Sequence, residues 1–291
     1  MTRGFIPGLA AASALATIAV VIQAGAPAGF GDQPTAASLT PPQWREIAPG
    51  LEFARVLALR YCRSGSPGLG AVRLDPARCR VEPYHEKEYP RSAAATVDAW
   101  QRRLNAPVIL NAGLYGEDRR HLGVLRRDGR DVGGSRHPSW KGMLAAGADL
   151  AGIPPAAVLD LTMPEEASRS ERYPHAVQSM MLLDRQGGIR VRRTERVAPR
   201  TVVAEDSAGK LYLLVTEGQF TLWETGALLR EAGWHLTAAL ALDGGNEANL
   251  VVESPAVRYR TYLGKNDGGE GDFLRASVTL PCVLAVWPEG P

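Results

Sequence analysis

The sequence predicts a single α/β or α+β domain with a mixed β-sheet core and flanking helices. Its 291 residues are 45% hydrophobic and 22% charged, which is ordinary composition for a globular chain with one sizeable core. Short apolar runs bounded by turn residues recur from residue 51 onward, and a few stretches have the spacing of amphipathic helices. Neither a repeat nor a second change in composition divides residues 51–291, so we expect one domain there.

The first 28 residues have the pattern of a secretory signal peptide. Arg3 precedes an apolar stretch from Phe5 to Ile22, and the small residues near Ala28 fit cleavage after that residue. The stretch approaches the ~20 residues that cross a bilayer, so an uncleaved N-terminal anchor is the alternative. We expect an exported protein, periplasmic or extracellular, without stable membrane insertion after cleavage. Residues 29–50, rich in Pro, Gly, Ala and Ser, are predicted to be a linker.

Export bears on the three cysteines. Cys62 and Cys79 flank a Gly/Pro-rich stretch and could close a short loop as a disulfide. Such a bridge is worth about 3 kcal/mol in an oxidising compartment. Two unpaired buried thiols are an equal alternative. Cys282 lies in a strand-like apolar run and is interpreted as a small core residue.

The first half of the domain is predicted to alternate strands with one clear helix. The helix covers residues 92–105, because Val97, Trp100 and Leu104 fall on one face. Strands are predicted over residues 53–61, 71–74, 107–111 and 122–125. Residues 133–170 are predicted to be irregular, apart from a short helix after Thr162, where Thr162 and Glu165 fit a capping box.

The second half is more regular. Strands are predicted over residues 177–183, 189–193, 201–204, 211–216 and 237–242. Thr221 and Glu224 fit a second capping box, which opens a helix that Gly233 ends. The last strand is almost wholly apolar and places Asp243 at its carboxyl end, where the sites of α/β sheets gather.

Charge and motif content exclude several classes of function. A net charge of +2 provides no basic face for nucleic acid. The chain contains no GxSxG, HExxH, CxxC, P-loop or GxGxxG motif, and its five histidines lack ligand spacing. The sequence therefore predicts no metal and no cofactor. Residues 267–272 are acidic and glycine-rich, but their spacing does not match a calcium-binding EF-hand loop, and a flexible acidic loop is the interpretation.

In four places, a polar residue that could bind a ligand or take part in catalysis lies directly before or after a predicted strand. Asn111 ends a buried strand and offers an amide beside Gly113, where backbone can approach a ligand. Arg200 begins a strand and could grip a phosphate or carboxylate with its guanidinium. Glu217 presents a carboxylate at a turn. Each of these residues, taken alone, also fits an ordinary turn or a solvated side chain.

The fourth place is the turn that contains Asp243, Gly244, Gly245 and Glu247. Two consecutive glycines can free backbone N–H groups for an anion-binding nest. A carboxylate beside such a nest suits acid–base work on a phosphoester or a glycosidic bond. A plain Gly-Gly hairpin is the alternative.

Five segments in this order resemble the phosphodiester glycosidase family. They are Asn-Ala-Gly-Leu-Tyr at 111–115, Ala-Val-Gln-Ser at 176–179, Arg-Thr at 200–201, the strand and turn at 211–218, and Ala-Leu-Asp-Gly-Gly at 241–245. The resemblance covers about residues 50–288. It implies an α/β domain that hydrolyses the bond between a sugar anomeric carbon and a phosphodiester. By position, Asn111, Arg200, Asp243, Gly244 and Gly245 match the usual site residues of that family.

The resemblance also shows departures. Asn246, Glu247 and Ala248 follow the two glycines where the family tends to have a serine, and Met180 and Met181 replace a Gly-Pro pair.

Two functions of different classes follow. The first is an exported hydrolase that cleaves a glycosyl phosphodiester in the cell envelope. Arg200 and the glycine amides would hold the phosphate, Asp243 or Glu247 would act as nucleophile or general base, Asn111 would orient the sugar, and Glu217 would be a partner acid. The second is a non-catalytic domain of the same fold that binds an envelope glycan or exopolysaccharide.

Overall fold

Two β-sheets pack face to face in the computed structural model, which describes residues 39–89, 94–261 and 278–289. The described residues lie in one compact unit, Ala36–Pro291. The predicted signal peptide (residues 1–28) and the predicted acidic loop (residues 267–272) lie outside the described residues.

The larger sheet has eleven strands within the described ranges. They are β1 (Arg45–Ala48), β2 (Leu51–Leu57), β3 (Gly68–Leu74), β6 (Leu125–Arg127), β7 (Arg130–Asp131), β8 (Gly142–Ala146), β9 (Ala156–Asp160), β10 (His175–Leu183), β12 (Thr201–Asp206), β13 (Leu211–Thr216) and β15 (Leu236–Ala241). Their order is β1-β2-β3-β13-β12-β15-β10-β6-β7, with β8 also beside β10 and β9 beside β8.

The smaller sheet has five strands in the part of the chain that is described. They are β4 (Cys79–His85), β5 (Val108–Asn111), β16 (Leu250–Glu253), β17 (Arg258–Arg260) and β18 (Cys282–Pro288), in the order β17-β16-β5-β18-β4. Two short strands, β11 (Val197–Ala198) and β14 (Phe220–Thr221), pair with each other. The α-helices are α1 (Val97–Leu104), α2 (Pro164–Arg169) and α3 (Leu222–Glu231), and short 3-10 helices cover Glu86–Glu88, Ser170–Arg172 and Gly245–Glu247.

Every pairing between these strands is antiparallel. Antiparallel strands need only short connections, so helices are few beside the sheets. Of the two predicted classes, the α+β class therefore describes the fold. The prediction of a single domain with a β-sheet core and flanking helices is confirmed, and the described strands of the core, predicted as mixed, pair antiparallel.

Successive side chains of a strand pack on opposite faces of its sheet, which gives the domain its layers of core and helices. In β13, Leu213 packs into the core between the two sheets, whereas Leu214 packs on the opposite face with Leu228 of α3. In β5, Leu110 joins the central core and Ile109 packs outward with Trp100 of α1. Successive side chains of a strand point to opposite faces, so each sheet buries both faces. Each buried leucine contributes about 1.5–3 kcal/mol of apolar burial.

The capping box predicted at α3 is confirmed. The Thr221 hydroxyl accepts from the Glu224 backbone N–H at 3.1 Å, and the Glu224 carboxylate accepts from the Thr221 N–H at 3.3 Å. The capping box predicted at Thr162 and Glu165 is wrong. Met163 is the N-cap of α2 and makes no side-chain cap, while the Thr162 hydroxyl donates to Asp160 at 2.7 Å.

The segment predicted to be irregular contains two buried strands, β8 and β9. All five residues of each are buried, since these strands pack inside the domain on both faces. Such strands lack the alternation of polar and apolar residues that marks a half-exposed strand. The predicted strand over residues 189–193 is wrong, because only an isolated bridge between Leu183 and Ile189 forms there.

The folded part also begins earlier than predicted, because residues 39–50 of the predicted linker are ordered into the domain. β1 pairs with β2, and the ring of Trp44 packs 6.0 Å from the rings of both Tyr212 and Trp234. The proline and glycine content of residues 29–50 is typical of a linker, so the sequence does not predict the short strand β1. A lone tryptophan before the first predicted strand was the signal that it would pack.

The cysteines are unpaired thiols in the structure, which corresponds to the alternative without a disulfide. The Cys62 thiol lies 3.2 Å from the Ser64 carbonyl oxygen, and the Cys79 thiol lies 3.4 Å from the Gly50 carbonyl oxygen. Cys282 is buried in β18, in line with its predicted place in the core. Among the described residues, no helix has the length and apolar character needed to cross a membrane.

Candidate active site

A cavity of about 700 Å³ opens beside the loop that follows β15. The loop supplies Asp243, Gly244, Gly245 and Glu247 to its lining, and the segment before β12 supplies Arg196 and Arg200. Tyr115, after β5, also lines the cavity. The structure thus brings together five of the seven residues that the sequence singles out: Arg200, Asp243, Gly244, Gly245 and Glu247. Asn111 and Glu217 do not line the cavity.

The loop of Asp243 is fixed to the start of β12 by backbone hydrogen bonds. The Leu242 N–H donates to the Thr201 carbonyl at 2.9 Å, and the Gly245 N–H donates to the Pro199 carbonyl at 2.9 Å. A Cβ atom on Gly244 would stand 2.6 Å from the Pro199 carbonyl oxygen. Gly245 has a φ of +76°, which favours glycine. Both glycines are thus required for the loop to lie this close to β12.

The two glycine amides do not form the predicted anion nest. The Gly244 N–H donates to Oδ1 of Asp243 at 2.9 Å, and the Gly245 N–H donates to Pro199. Because both amides have protein acceptors, they are not open donors for a phosphate. The glycines instead bring the loop close to Arg200, whose Nη1 lies 3.6 Å from where a Gly244 Cβ would stand.

Asp243 has a pKa near neutrality. Burial raises the pKa of its carboxyl group to about 7, and the nearby charge of Glu247 contributes to the increase, while the Gly244 N–H opposes it. A carboxyl group with such a pKa exchanges its proton near physiological pH. This property suits general acid–base catalysis and marks Asp243 as a functional candidate.

Tyr115 and Glu247 complete the acidic side of the cavity. Glu247 ends the 3-10 helix Gly245–Glu247, four residues after Asp243. Burial raises the pKa of the Tyr115 hydroxyl, as do the charges of Glu247 and Asp243. The hydroxyl therefore stays protonated at physiological pH and can donate a hydrogen bond into the cavity.

Arg200 supplies a buried positive charge to the same cavity. Its Nε donates to the Phe220 carbonyl at 2.8 Å and its Nη2 to the Arg196 carbonyl at 2.7 Å. Within the described ranges, Arg200 has no carboxylate partner. Burial lowers its pKa to about 10, with help from the Arg196 charge, so the guanidinium stays protonated at neutral pH. A buried, anchored and unneutralised guanidinium is the expected donor for a phosphate oxygen.

Asn111 lies beneath the cavity rather than in its lining. Its Nδ2 donates to the Asp243 carbonyl at 2.8 Å, and its Oδ1 accepts from the Thr201 hydroxyl at 2.7 Å and the Asn249 N–H at 3.1 Å. The side chain is 1% exposed. These contacts give Asn111 a positioning role for the loop of Asp243, in place of the predicted contact with the sugar.

Glu217 lies outside the cavity in a separate cluster. Its carboxylate accepts two hydrogen bonds of 2.6 Å from Arg55, one of 2.6 Å from Ser66 and one of 2.9 Å from Tyr259. Burial raises the pKa of Glu217, but Arg55, Ser66 and Tyr259 outweigh it and the pKa falls below its usual value. An ionised carboxylate that accepts from Arg55, Ser66 and Tyr259 is a structural anchor, not the partner acid that the sequence predicts beside Asp243.

The sequence reasoning missed two residues of the cavity. Tyr115 closes the segment 111–115 but received no role, although its place after Asn111 in that segment was a signal. Arg196 lines the cavity beside Arg200 and belongs to a basic run that includes Arg190, Arg192 and Arg193. Four arginines within seven residues are a visible signal, but a solvated charge run has the same pattern.

Across residues 39–89, 94–261 and 278–289, no group of three or more His, Cys, Asp or Glu side chains is arranged to hold a metal ion.

Residues 105–278, more than half of the chain, match the sequence profile described as Phosphodiester glycosidase. The chain therefore belongs to the phosphodiester glycosidase family, and the predicted resemblance is confirmed. The matched range contains every residue that lines the cavity. Among curated proteins, none matches the chain at a significant level.

Solved structures show the same fold at low sequence identity. The catalytic domain of zebrafish N-acetylglucosamine-1-phosphodiester alpha-N-acetylglucosaminidase, auto-inhibited by its pro-peptide, is 16% identical with a TM-score of 0.55. That match covers 89% of this chain and 86% of the zebrafish chain. A hypothetical protein from Synechocystis is 13% identical with a TM-score of 0.51, covering 86% of this chain and 64% of the other. At these identities the likeness concerns the fold.

Proposed function

We propose that the protein is an exported hydrolase that cleaves a glycosyl phosphodiester, a sugar-1-phosphate diester, in the cell envelope. One observation carries the proposal: a buried guanidinium with no carboxylate partner in the described residues shares a cavity with a carboxyl group of pKa about 7. The cation suits the diester phosphate, and the carboxyl group suits proton transfer at the sugar. Membership of the family supports the same bond as the target.

Arg200 binds the phosphodiester in this proposal. Its Nε and Nη2 are fixed by the carbonyl groups of Phe220 and Arg196, so the guanidinium enters the reaction already oriented. As the bond from the anomeric carbon to the phosphate oxygen breaks, the leaving phosphate gains negative charge. A preorganised cation in a partly buried site stabilises that charge without reorganisation.

Asp243 is the proposed base. In its ionised form it takes a proton from a water molecule, whose oxygen bonds to the anomeric carbon as the phosphate leaves with the bonding electron pair. Burial, together with the nearby charge of Glu247, keeps the pKa of Asp243 high, so the base retains enough basicity for the transfer. The protonated Tyr115 hydroxyl is the neighbouring hydrogen-bond donor for the sugar.

The place of action rests on the N-terminus. Arg3 and the apolar stretch that follows it have the composition of a secretory signal, which would deliver the domain to the periplasm or the exterior. Glycosyl phosphodiesters of the cell envelope are then within reach.

The test is release of sugar from benzyl α-N-acetylglucosaminyl phosphodiester and its α-glucosyl counterpart, followed by phosphorus NMR in water enriched in the heavy oxygen isotope. Cleavage at the anomeric carbon leaves the released benzyl phosphate unlabelled. Label in the phosphate would mean attack at phosphorus and would contradict the proposed bond. Binding of both diesters without any turnover would support the non-catalytic, glycan-binding alternative.

A further inference from the structure

A second, smaller cavity of about 410 Å³ continues from the active site. Met180, Thr194 and Leu222 line both cavities, so the two cavities are neighbours that share part of their lining. The acidic residues Asp243 and Glu247 lie only in the larger cavity. A substrate with its sugar near these carboxylates and its phosphate at Arg200 would extend past the shared residues into the smaller cavity.

The smaller cavity combines an apolar floor with cationic side chains. Its apolar lining consists of Trp140, Met180, Met181, Val191 and Leu222. Lys141, Arg190 and Arg192 also line it, and no residue of its lining carries a carboxylate. Arg190 pairs with Asp184 at 3.2 Å, whereas neither Lys141 nor Arg192 has an ion pair within the described residues. Two cations are therefore available to a ligand.

The wall that carries Lys141 is held in place by a buried glutamine. Gln178, which is 0% exposed, accepts from the His137 N–H at 2.8 Å and donates to the Trp140 carbonyl at 2.8 Å and the His137 carbonyl at 2.9 Å. The ring of His137 stacks on that of Trp140 with 4.1 Å between centroids. This network fixes the backbone just before Lys141, so the base of its exposed side chain has a defined position at the rim of the smaller cavity.

We propose that the smaller cavity is the aglycone subsite, and that it takes an aglycone with an apolar body and a negatively charged group of its own. The apolar lining removes the body from water, and Lys141 and Arg192 bind the additional anion. The inference rests on the proposed function for the placement of sugar and phosphate. It adds that the substrate carries a second negative charge beyond the diester.

The test compares three diesters of N-acetylglucosamine 1-phosphate that share one body: benzyl, 4-carboxybenzyl and 4-phosphonobenzyl. The protein should turn over both charged diesters with a kcat/KM about tenfold above that of the benzyl diester, the amount expected of one charge-assisted contact. Equal kcat/KM values for all three would overturn the proposal. A gain with only one charged group would identify carboxylate or phosphonate as the favoured anion.

Variants assign the effect to the subsite. In the variant that combines Lys141→Gln with Arg192→Gln, the kcat/KM of the charged diesters should fall to that of the benzyl diester measured with the same variant, so that the tenfold preference is lost. Arg193→Gln is the matched control, because Arg193 belongs to the same basic run but stacks over Trp223 at 3.7 Å outside both cavities. If Arg193→Gln lost the preference to the same extent, the preference would come from the general positive charge of the basic run. That result would contradict specific binding of the anion in the smaller cavity.

A binding measurement separates this proposal from the proposed function. Calorimetry with benzyl phosphate and 4-carboxybenzyl phosphate needs no turnover, and the charged compound should bind about tenfold more tightly in a manner abolished by Lys141→Gln with Arg192→Gln. If that difference holds and no diester is cleaved, the hydrolase function fails and the subsite stands. If cleavage occurs and the two phosphates bind equally, the subsite fails alone.

Discussion

The side-chain amide of Asn111 donates a 2.8 Å hydrogen bond to the backbone carbonyl of Asp243. Asn111 ends β5 of the smaller sheet, and Asp243 follows β15 of the larger sheet. The same side chain accepts from Thr201 at the start of β12, so one buried residue connects the loop of the candidate base to both sheets. Precise positioning of a reacting group requires support of this kind.

Replacing Asn111 with alanine should lower both stability and turnover. The change leaves the Thr201 hydroxyl, the Asn249 N–H and the Asp243 carbonyl without their partner, at a cost of about 2–4 kcal/mol in the free energy of unfolding. Urea unfolding and kcat measure the two effects. Thr201→Ser is the control, because it keeps the hydroxyl and should retain most of both. An unchanged stability for Asn111→Ala would contradict the positioning role.

The pH dependence of kcat/KM should report Asp243. Because the base must be ionised, the rate should rise with pH and reach half its limit near pH 7. Glu247→Gln removes a negative charge that raises the pKa of Asp243, so the midpoint should move to lower pH. Glu195→Gln makes the same charge change on an exposed residue outside the cavity and should leave the midpoint in place. A midpoint that moves upward in Glu247→Gln would refute the assignment.

Asp243→Asn should raise the stability of the fold at pH 8 and lower the activity. A carboxyl group whose pKa is higher in the folded than in the unfolded state stabilises the fold at low pH, and this contribution is lost as the pH rises through about 7. Asparagine does not ionise and can still accept from the Gly244 N–H. We expect a gain of about 1–2 kcal/mol at pH 8 that vanishes below pH 4, with kcat reduced by about a thousandfold.

Unfolding at the two pH values and single-turnover kinetics measure these effects. A variant that is less stable at pH 8 would argue against the raised pKa of the Asp243 carboxyl group. A variant that is fully active would argue against its role as the base.

Arg200→Lys should impair phosphate binding although the positive charge is kept. A single ammonium group cannot hold the Phe220 and Arg196 carbonyl groups and also face the cavity. We expect kcat/KM for the diester to fall about a hundredfold, with weaker inhibition by benzyl phosphate. Arg230→Lys, at an exposed position of α3, is the control and should change neither value. Equal inhibition constants for the two variants would show that Arg200 does not bind the phosphate.

The predictable parts of the fold are those set by local pattern. The strand over residues 211–216 and the capping box of α3 agree with the structure because apolar runs and cap residues act over a few positions. The sequence predicts Asp243 at the end of a strand for the same reason, because a run of alanines and leucines ends just before it. The sequence does not predict β8 and β9, because strands that are buried on both faces lack the alternation of polar and apolar residues.

The partners of each site residue could not be predicted in this way. The Gly245 amide donates to Pro199, which precedes a neighbouring strand, so only the tertiary fold shows that the predicted nest is occupied. Likewise, the sequence predicts a sugar contact for Asn111, but Thr201 and Asn249 both donate hydrogen bonds to its Oδ1. Sequence spacing selects residue types, whereas hydrogen-bond partners depend on segments distant in the chain.

Replacement of Glu217 should affect stability and not catalysis. The sequence suggests that Glu217 is a partner acid, whereas its hydrogen bonds in the structure are those of a structural anchor. Glu217→Gln places an amide N–H against Arg55 and should cost about 1–3 kcal/mol in stability. The pH profile of kcat/KM should keep its shape. A double-mutant cycle with Arg55→Gln, whose side chain is 46% exposed, should give a coupling of about 1 kcal/mol. Loss of turnover by a hundredfold at unchanged stability would instead restore Glu217 as a catalytic acid.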